Sequence, residues 1–463
     1  MSRKKYFALF AFVFLLGASL RLLYFSNQWS IWWDEAVYMA MAEAYGGNNY
    51  FFEAFRPPLV PFTLFLWNSV FDYSLVSSRT FILLLSVLSL PLVYVLTKRV
   101  MDEEAALLSA SLLALNAYSI LYSARVLSET HTILFNVLAV ASFHMGYKNN
   151  SKGWLSVAGV AMAMGMMSKH LMAYLPIAVF LFFLARRKLN AFRDRRLYII
   201  ITSSLIAMSP WLVNNYLDYG NPFWPQLANI GLSPPEGWSF YASVLPQFLG
   251  PQGLLIPFAL VGLKKSKHAE FLKFNMLAIV VGLVILHSVA HKEDRFLTIF
   301  TYSLAVLEAA GLMNLANMVD QKRRKGIIKK IFHKSDYGKI VSIIVASLFA
   351  LSFAFFSALP RQYEDLFYRC TNEINKLPKE KMSTTMSPYF SYFTKRFFEQ
   401  LPWDEKDFSC PNLVKSGVNY TVYYSSGWYE SREKAFLEQT KSCTTLVANI
   451  TQNQKCLIFR VEK

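Results

Sequence analysis

The sequence predicts an α-helical polytopic membrane protein with about eleven transmembrane helices, followed by a small extracytoplasmic α/β domain. Three observations lead to this fold class. Hydrophobic residues make up 54% of the 463-residue chain, which is more apolar than a water-soluble globular protein of this length. These residues occur in separate runs, most of them about long enough to cross a bilayer. All four cysteines follow the last long run, where the composition becomes polar.

The first apolar run, residues 6–25, follows a basic N-terminal segment, Ser2-Arg3-Lys4-Lys5. Basic residues favour the cytoplasmic side, so the N-terminus is expected there. We interpret the run as a retained anchor because the sequence shows no convincing small-x-small cleavage site before Trp32. The later predicted spans are 80–97, 105–122, 130–147, 154–167, 171–185, 197–216, 248–263, 274–290, 297–315 and 340–359. An odd number of spans places the C-terminus outside the cytoplasm.

The membrane domain is expected to comprise residues 1–359, with a first external loop at 26–79. Two short helices are predicted in this loop. One runs from Asp34 to Tyr45 and ends at the helix-breaking segment Gly46-Gly47-Asn48-Asn49. The other, 59–71, is apolar but short for a span, so it is expected at the membrane interface.

Residues 360–463 are predicted to form the soluble domain, with helices at 361–377 and 389–401 and strands at 418–424, 445–450 and 456–461. Four cysteines in one extracytoplasmic domain predict two disulfides, with all three pairings open. A zinc site is less favoured because no Cys-x-x-Cys pair is present. The domain also contains two N-glycosylation sequons, Asn419-Tyr420-Thr421 and Asn449-Ile450-Thr451. The candidate disulfide residues are Cys370, Cys410, Cys443 and Cys456.

The formal net charge is +17, but its pattern does not indicate nucleic-acid binding. The basic clusters recur between apolar runs and lack the interleaved aromatic residues of a single-strand binding surface. Such clusters are typical of cytoplasmic loops that contact anionic lipids. Membrane lipids are therefore expected partners, and nucleic acid is not.

The remaining notable charges fall in loops predicted on the external face. They are Asp34, Glu35, Arg56, Arg125, Glu129, Lys169, His170, His291, Lys292, Glu293 and Arg295. Carboxylates can accept the proton of an attacking hydroxyl, and cations can stabilise a departing lipid phosphate. The set fits the transfer of a sugar from a lipid phosphate to a hydroxyl, and it equally fits the substrate path of a transporter.

Three motifs carry a family resemblance. The acidic pair Asp34-Glu35 followed by Arg56-Pro57-Pro58-Leu59 resembles the GT-C superfamily of polyprenyl-phosphate-sugar glycosyltransferases, particularly protein O-mannosyltransferases and aminoarabinose transferases. Ser123-Ala124-Arg125 with Glu129 resembles the second-loop motif of the same families. The segment His291–Leu297 is similar to the HKExRFL signature of mannosyltransferases that build lipid-linked oligosaccharides and glycosylphosphatidylinositol anchors. This mixture of two branches leaves the acceptor open.

The resemblance implies roles for these residues. Asp34 would be the catalytic base and Glu35 would orient the donor or the site, although the reverse assignment stays open. Arg56 would hold the phosphate or lie at the interface as a snorkelling residue, and Arg125 and Glu129 would serve the site or form an i,i+4 ion pair. A phosphate role is also open for Lys169 and His170. The phosphate clamp would comprise His291, Lys292 and Arg295, with Glu293 paired to Arg295. No metal or other cofactor is implied.

The expected function is an inverting GT-C glycosyltransferase that moves a monosaccharide, with mannose favoured, from dolichyl or another polyprenyl phosphate. Its acceptor would be a glycan, glycolipid or protein outside the cytoplasm. The expected location is the plasma membrane, or the endoplasmic reticulum in a eukaryote. The alternative is a lipid-sugar flippase or transporter, which predicts polar residues at mid-membrane in broken helices and often an inverted repeat. A structural or receptor-like protein would leave the acidic pair and the 291–297 motif unexplained.

Overall fold

The computed structural model describes residues 3–26, 31–228, 237–324, 365–402, 404–425, 427–452 and 454–462. The chain forms two compact units. The membrane unit comprises residues 1–26, 55–60 and 79–360, and the sheet unit comprises 27–54, 61–78 and 361–463. Most of the segment predicted as the first external loop therefore groups with the C-terminal residues.

Helices dominate the chain up to residue 324. In chain order they are α1 (Arg3–Phe25), α2 (Trp33–Tyr45), α3 (Leu59–Asn68), α4 (Leu75–Val100), α5 (Glu103–Leu115), α6 (Ala117–Tyr122), α7 (Glu129–Asn149), α8 (Lys152–Ser168), α9 (Tyr174–Arg187), α10 (Arg195–Tyr219), α11 (Trp224–Ala228), α12 (Phe240–Leu249), α13 (Ile256–Gly262), α14 (Ala269–Ser288) and α15 (Thr301–Arg324). Short 3-10 helices occupy His170–Ala173, Lys188–Arg193, Gly250–Leu255, Leu263–Lys265 and Asp294–Phe300.

Within the described residues, seven helical segments are long and apolar enough to cross a membrane. They are Lys4–Phe25, Leu75–Val100, His170–Arg193, Arg195–Tyr219, Phe240–Gly262, Ala269–Ser288 and Asp294–Met318. A multi-span helical membrane fold is thus confirmed, but the count of about eleven is not. The predicted spans 105–122, 130–147 and 154–167 form helices outside this set, and the predicted span 340–359 lies outside the described residues.

The predicted span 105–122 is two helices because of Asn116. The Asn116 side chain accepts a hydrogen bond from Ser119 N at 2.8 Å, which caps the start of α6 and interrupts the helix. Arg21 of α1 closes this break. Its guanidinium donates to the carbonyl oxygens of Leu113 and Ala114 at 3.4 and 3.1 Å. Both carbonyls lie in the last turn of α5, where the regular helical hydrogen bonds end.

The remaining Arg21 donors are also occupied. They bind Ser119 Oγ at 2.8 Å, Ser86 Oγ at 2.9 Å and Gly17 O at 3.0 Å. A guanidinium has five N–H groups, so the fully buried Arg21 is satisfied without a carboxylate. The break between α5 and α6, which Arg21 stabilises, sets the direction of α6. It therefore also sets the direction of the loop that follows at 123–128.

The C-terminal part of the sheet unit is an α/β domain, as predicted. Its helices are α16 (Asp365–Lys376), α17 (Ser387–Thr394), α18 (Cys410–Ser416) and α19 (Glu433–Thr440), with 3-10 turns at Glu405–Asp407 and Gly427–Arg432. Its strands are β1 (Met382–Thr384), β2 (Phe398–Gln400), β3 (Tyr420–Tyr424), β4 (Thr444–Thr451) and β5 (Lys455–Val461). They form one sheet in the order β2-β1-β3-β5-β4.

Strand β1 pairs in parallel with β2 and β3, whereas β5 pairs antiparallel with β3 and β4. The prediction of one helix over 389–401 was wrong. Helix α17 ends where Lys395 adopts a left-handed conformation with φ of 54°, and the chain then forms β2. Strands β1 and β2 have three residues each, too few for an alternating pattern to be recognised.

Two disulfides staple the domain, as predicted from the cysteine count. Cys370 of α16 is bonded to Cys456 of β5. Cys410 at the start of α18 is bonded to Cys443, just before β4. Of the three possible pairings, this one ties a helix to the sheet and closes the region around α19.

We expect the double variant Cys370→Ser/Cys456→Ser to lower the free energy of unfolding of the domain by about 2–4 kcal/mol. The disulfide spans 86 residues, so its loss gives the unfolded chain much freedom. Thermal unfolding of the detergent-solubilised protein measures the effect. Cys410→Ser/Cys443→Ser is the matched comparison, and it should cost less because the bond spans 33 residues. An unchanged midpoint in the first variant would contradict the expectation.

Candidate active site

Three loops of the membrane unit meet at the carboxylate of Glu129. This residue is fully buried, and its Oε1 accepts a hydrogen bond from Lys169 Nζ at 2.6 Å. Arg295 Nε lies 3.9 Å from the same oxygen. Glu129 begins α7 and Lys169 follows the last residue of α8. A buried carboxylate thus has two cations from segments that are far apart in sequence.

The local backbone explains why these charges are placed there. Negative side chains are stabilised at a helix N-terminus, and positive ones at a C-terminus. Glu129 lies in the first turn of α7, whereas Lys169 is the C-terminal cap of α8 with an extended backbone conformation. Lys169 Nζ also lies 4.4 Å from the centre of the Phe296 ring, a cation–π contact that adds to the ion pair.

Glu293 extends this charge network in the loop after α14. Its carboxylate binds Arg295 through two contacts, Nε to Oε2 at 2.5 Å and Nη2 to Oε1 at 2.7 Å. The contact from Nη2 is a hydrogen bond, and the contact from Nε is a close ion-pair distance, so Glu293 holds the guanidinium of Arg295 in place. His291 Nε2 lies 2.7 Å from Glu293 Oε1. We call the five linked residues His291, Glu293, Arg295, Glu129 and Lys169 the Glu129 cluster.

Asp294 anchors the same loop to α6, a contact that sequence reasoning missed. Tyr118 OH donates to Asp294 Oδ2 at 3.1 Å, and the backbone N–H of Arg295 donates to Asp294 Oδ1 at 2.7 Å. The two residues are 176 positions apart, so no local pattern could pair them.

The 3-10 helix Asp294–Phe300 is held in place by side chains of α7 and α9. Asn136 Nδ2 and Tyr174 OH both donate to the carbonyl of Ile299, at 2.7 and 3.1 Å. Both side chains lie in apolar segments that were predicted as membrane spans and in which no functional residue was expected. Their polarity within a span is the signal that could have drawn attention to them.

Two further predicted cations lie on the segments of the Glu129 cluster, and a third, Arg56, lies in residues 55–60. Arg125 is buried in the loop before α7, and Lys292 is buried in the loop that contains Glu293. Arg56 is partly buried and follows Phe55, whose carbonyl lies 3.0 Å from His170 Nε2. His170 also stacks on Trp211 with ring centres 5.9 Å apart, so it ties residues 55–60 to the loop after α8.

The acidic pair lies on α2 of the sheet unit. Glu35 is fully buried, and its Oε2 accepts a hydrogen bond from the backbone N–H of Trp32 at 3.0 Å. This is the contact by which the acidic member of a capping box closes a helix N-terminus. Asp34 is in the same first turn but is only partly buried. The two carboxylates therefore have different surroundings, with Glu35 engaged by the backbone.

The other end of α2 is held by α17 through Glu43 and Lys395. Glu43 is 3% exposed, and its Oε1 is ion-paired with Lys395 Nζ. The ammonium group also lies 4.1 Å from the centre of the Tyr392 ring. Tyr392 OH in turn donates to the carbonyl of Tyr73 at 3.1 Å. Burial raises the pKa of the Glu43 carboxyl above its ordinary value, and the ion pair with Lys395 opposes that rise.

We expect Lys395→Met to destabilise the sheet unit by about 1–2 kcal/mol at pH 8 and by less at pH 5. Without Lys395, the pKa of folded Glu43 rises further above its unfolded value. A raised carboxyl pKa contributes stability at low pH that is lost as the pH rises. Thermal midpoints of the wild type and of Lys395→Met, measured between pH 5 and 8, give the dependence of stability on pH that tests this expectation. Lys395→Met/Glu43→Gln should remove the added pH dependence; a slope that persists in this double variant would contradict the assignment to Glu43.

Comparison with known proteins identifies the fold of the chain. Residues 55–213 match the model of the family described as dolichyl-phosphate-mannose-protein mannosyltransferase. ArnT from Cupriavidus metallidurans bound to undecaprenyl phosphate superposes with a TM-score of 0.73 and 10% identity, over 99% of this chain and 98% of ArnT. The chain has the GT-C fold. The predicted resemblance to this superfamily is confirmed.

A second GT-C structure is similar over nearly the whole chain. The archaeal oligosaccharyltransferase AglB from Archaeoglobus fulgidus, in complex with an inhibitory peptide and a dolichol-phosphate, has a TM-score of 0.63 and 13% identity, over 96% of this chain and 73% of AglB. No curated protein sequence matches the chain. The family match includes Arg56, Arg125, Glu129 and Lys169, whereas Asp34 and Arg295 lie outside its bounds.

Proposed function

We propose that the protein is an inverting GT-C glycosyltransferase that transfers mannose from a polyprenyl phosphate, such as dolichyl phosphate, to a protein-linked or lipid-linked acceptor. The observation that carries the proposal is the Glu129 cluster, which gathers cations from two loops in a chain with the fold of ArnT.

The charges of these loops suit a lipid phosphate. Four cationic side chains, Arg125, Lys169, Lys292 and Arg295, occur with three acidic ones, Glu129, Glu293 and Asp294. The acidic groups hold and orient cations, as Glu293 does for Arg295. The excess positive charge favours binding of a phosphate and stabilises the negative charge that develops as it leaves. In this proposal Arg56 adds a further phosphate contact.

The proposed reaction is a single displacement. The acceptor hydroxyl oxygen attacks C1 of the donor sugar, the bond between C1 and the phosphate oxygen breaks, and polyprenyl phosphate leaves with the electron pair. Asp34 takes the proton of the hydroxyl, since its side chain is partly exposed whereas Glu35 is fully buried and caps α2. Attack opposite the leaving group inverts the configuration at C1. The scheme includes no cofactor, because side-chain cations supply the charge.

The comparisons support the donor class more closely than the acceptor. ArnT was solved with undecaprenyl phosphate and AglB with a dolichol-phosphate, and both lipids are polyprenyl phosphates in the broad sense. Mannose is supported by the description of the matched family. The AglB complex also holds a peptide, which supports a protein acceptor, whereas the 291–297 motif supports a lipid-linked one.

The proposed location is the plasma membrane, or the endoplasmic reticulum in a eukaryote, with the N-terminus in the cytoplasm and the C-terminus outside. The basic segment before α1 supports this orientation. The two disulfides support an oxidising environment for the C-terminal domain.

A lipid-sugar flippase is the competing proposal, because Arg21 and Glu308 are buried charges on membrane helices. However, all Arg21 donors bind carbonyl or hydroxyl oxygens at a helix break. The cavity that Glu308 lines has a volume of about 10 Å³, which is room for one water molecule. Neither of these two sites therefore indicates a substrate path.

Both proposals are tested with purified protein in liposomes that contain radiolabelled dolichyl-phosphate mannose or dolichyl-phosphate glucose, with glycans and glycopeptides from the host as acceptors. Label that enters an acceptor and is released from the lipid supports the transferase and identifies the sugar. Label that changes leaflet in a protein-dependent manner, while the donor stays intact, overturns the transferase in favour of the flippase. Empty liposomes provide the control.

A further inference from the structure

The two N-glycosylation sequons of the C-terminal domain have very different surroundings. Asn449-Ile450-Thr451 ends strand β4, which lies at an edge of the sheet. The side chains of Asn449 and Thr451 are both exposed. Thr451 Oγ1 donates to Asn449 Oδ1 at 2.7 Å. Among the described residues, Asn449 Nδ2 has no hydrogen-bond partner, so the nitrogen that would be modified is open to solvent.

The other sequon, Asn419-Tyr420-Thr421, is locked into the sheet. Thr421 lies on the central strand β3 and is fully buried, and its Oγ1 accepts a hydrogen bond from Ser383 Oγ at 3.0 Å. The Nδ2 atom of Asn419 donates to Glu380 Oε2 at 2.9 Å.

The Asn419 backbone is fixed on both sides. Its N–H donates to Lys381 O at 2.8 Å, and its carbonyl accepts from Val461 N at 2.9 Å. An enzyme that must reach both the asparagine and the threonine of a sequon could do so here only after the sheet opened.

We propose that Asn449 is the N-glycosylation site of the folded protein and that Asn419 is not. The donor would be an oligosaccharide linked to a lipid phosphate or pyrophosphate. A bond forms between Asn449 Nδ2 and C1 of the first sugar, and the bond between C1 and the phosphate oxygen breaks. The lipid phosphate leaves with the electron pair, and a base of the modifying enzyme takes the amide proton.

Two further features of the domain favour a glycan at this position. The disulfides indicate an oxidising compartment, which is where N-glycosylation takes place. In addition, Leu446 and Val447 of β4 are 50% and 48% exposed. An exposed apolar edge strand is a site of unwanted strand pairing, and a bulky polar glycan a few residues away would shield it. The inference is independent of the proposed transfer reaction.

The test uses the folded, full-length protein in detergent micelles, a purified N-oligosaccharyltransferase and a fluorescent lipid-linked oligosaccharide. Peptide mapping should find the label on Asn449, with Asn419 labelled at least tenfold less. The denatured, reduced and alkylated chain should be labelled at both positions, because fold no longer limits access.

Variants assign the label to individual side chains. Asn449→Gln and Thr451→Val should abolish labelling of the folded protein, Thr451→Ser should retain it, and Asn419→Gln should leave it unchanged. A folded chain that stays unlabelled at Asn449 while the denatured chain is labelled, or one labelled equally at Asn419, would overturn the proposal.

Discussion

Arg295→Met is expected to reduce sugar transfer by at least about 100-fold, because a preorganised cation that stabilises the departing phosphate is lost. The guanidinium is held in place by Glu293 at 2.5 and 2.7 Å, so in the wild type it needs little reorganisation during the reaction. Initial rates of transfer from the labelled donor measure the effect. Arg295→Lys retains the charge but not the planar two-point contact, and it should have intermediate activity.

Arg186→Met provides the matched control for Arg295→Met. Arg186 forms an ion pair with Glu270 at 2.8 Å but is 43% exposed in the last turn of α9. Such surface pairs contribute about 0–1 kcal/mol, so transfer should stay within a factor of two. If the folded Arg295→Met protein retained more than a third of the wild-type rate, Arg295 would have no role at the phosphate.

Asp34→Asn is expected to reduce transfer by about 10²- to 10⁴-fold, because the amide cannot accept the proton of the attacking hydroxyl. Donor binding should not weaken, since the substitution preserves the shape of the side chain and removes a negative charge that repels the phosphate. Single-turnover rates and donor affinity, measured on the same sample, separate the two effects.

Glu35→Gln distinguishes catalysis from helix capping. Its carboxylate binds the backbone N–H of Trp32 at 3.0 Å, a contact that a glutamine carbonyl can reproduce. We therefore expect a transfer rate within about tenfold of wild type, with a small loss of thermal stability. If Glu35→Gln lost more activity than Asp34→Asn, the assignment of the base would be reversed.

Local sequence patterns predicted the elements that depend on local chemistry. Helix α2 was expected from 34 to 45 and is Trp33–Tyr45, because a first turn rich in acids and a glycine stop are local signals. The long strands β3 and β5 were likewise expected from their β-branched and aromatic residues. In the membrane unit, apolar runs identified the helices but not the break at Asn116, because the cap that causes it is a single polar residue in an apolar run and the carbonyls at the break bind a residue remote in sequence, Arg21.

The candidate site was predictable as a set of residues but not as a network. The sequence placed Glu129 next to Arg125, where an i,i+4 pair was one interpretation. The structure shows Glu129 bound to Lys169, 40 residues away, since the ends of α7 and α8 meet. Tyr118, Asn136 and Tyr174 were missed for the same reason, because each acts on a loop that is remote in sequence.

The configuration of the product tests the central proposal most directly. Purified protein is supplied with β-linked dolichyl-phosphate mannose and an acceptor glycan, and the labelled product is digested with α- or β-mannosidase. Inverting transfer predicts an α-linked mannose that α-mannosidase alone releases. A β-linked product would indicate a covalent intermediate or another mechanism, and the absence of any mannosylated product would contradict a mannosyltransferase.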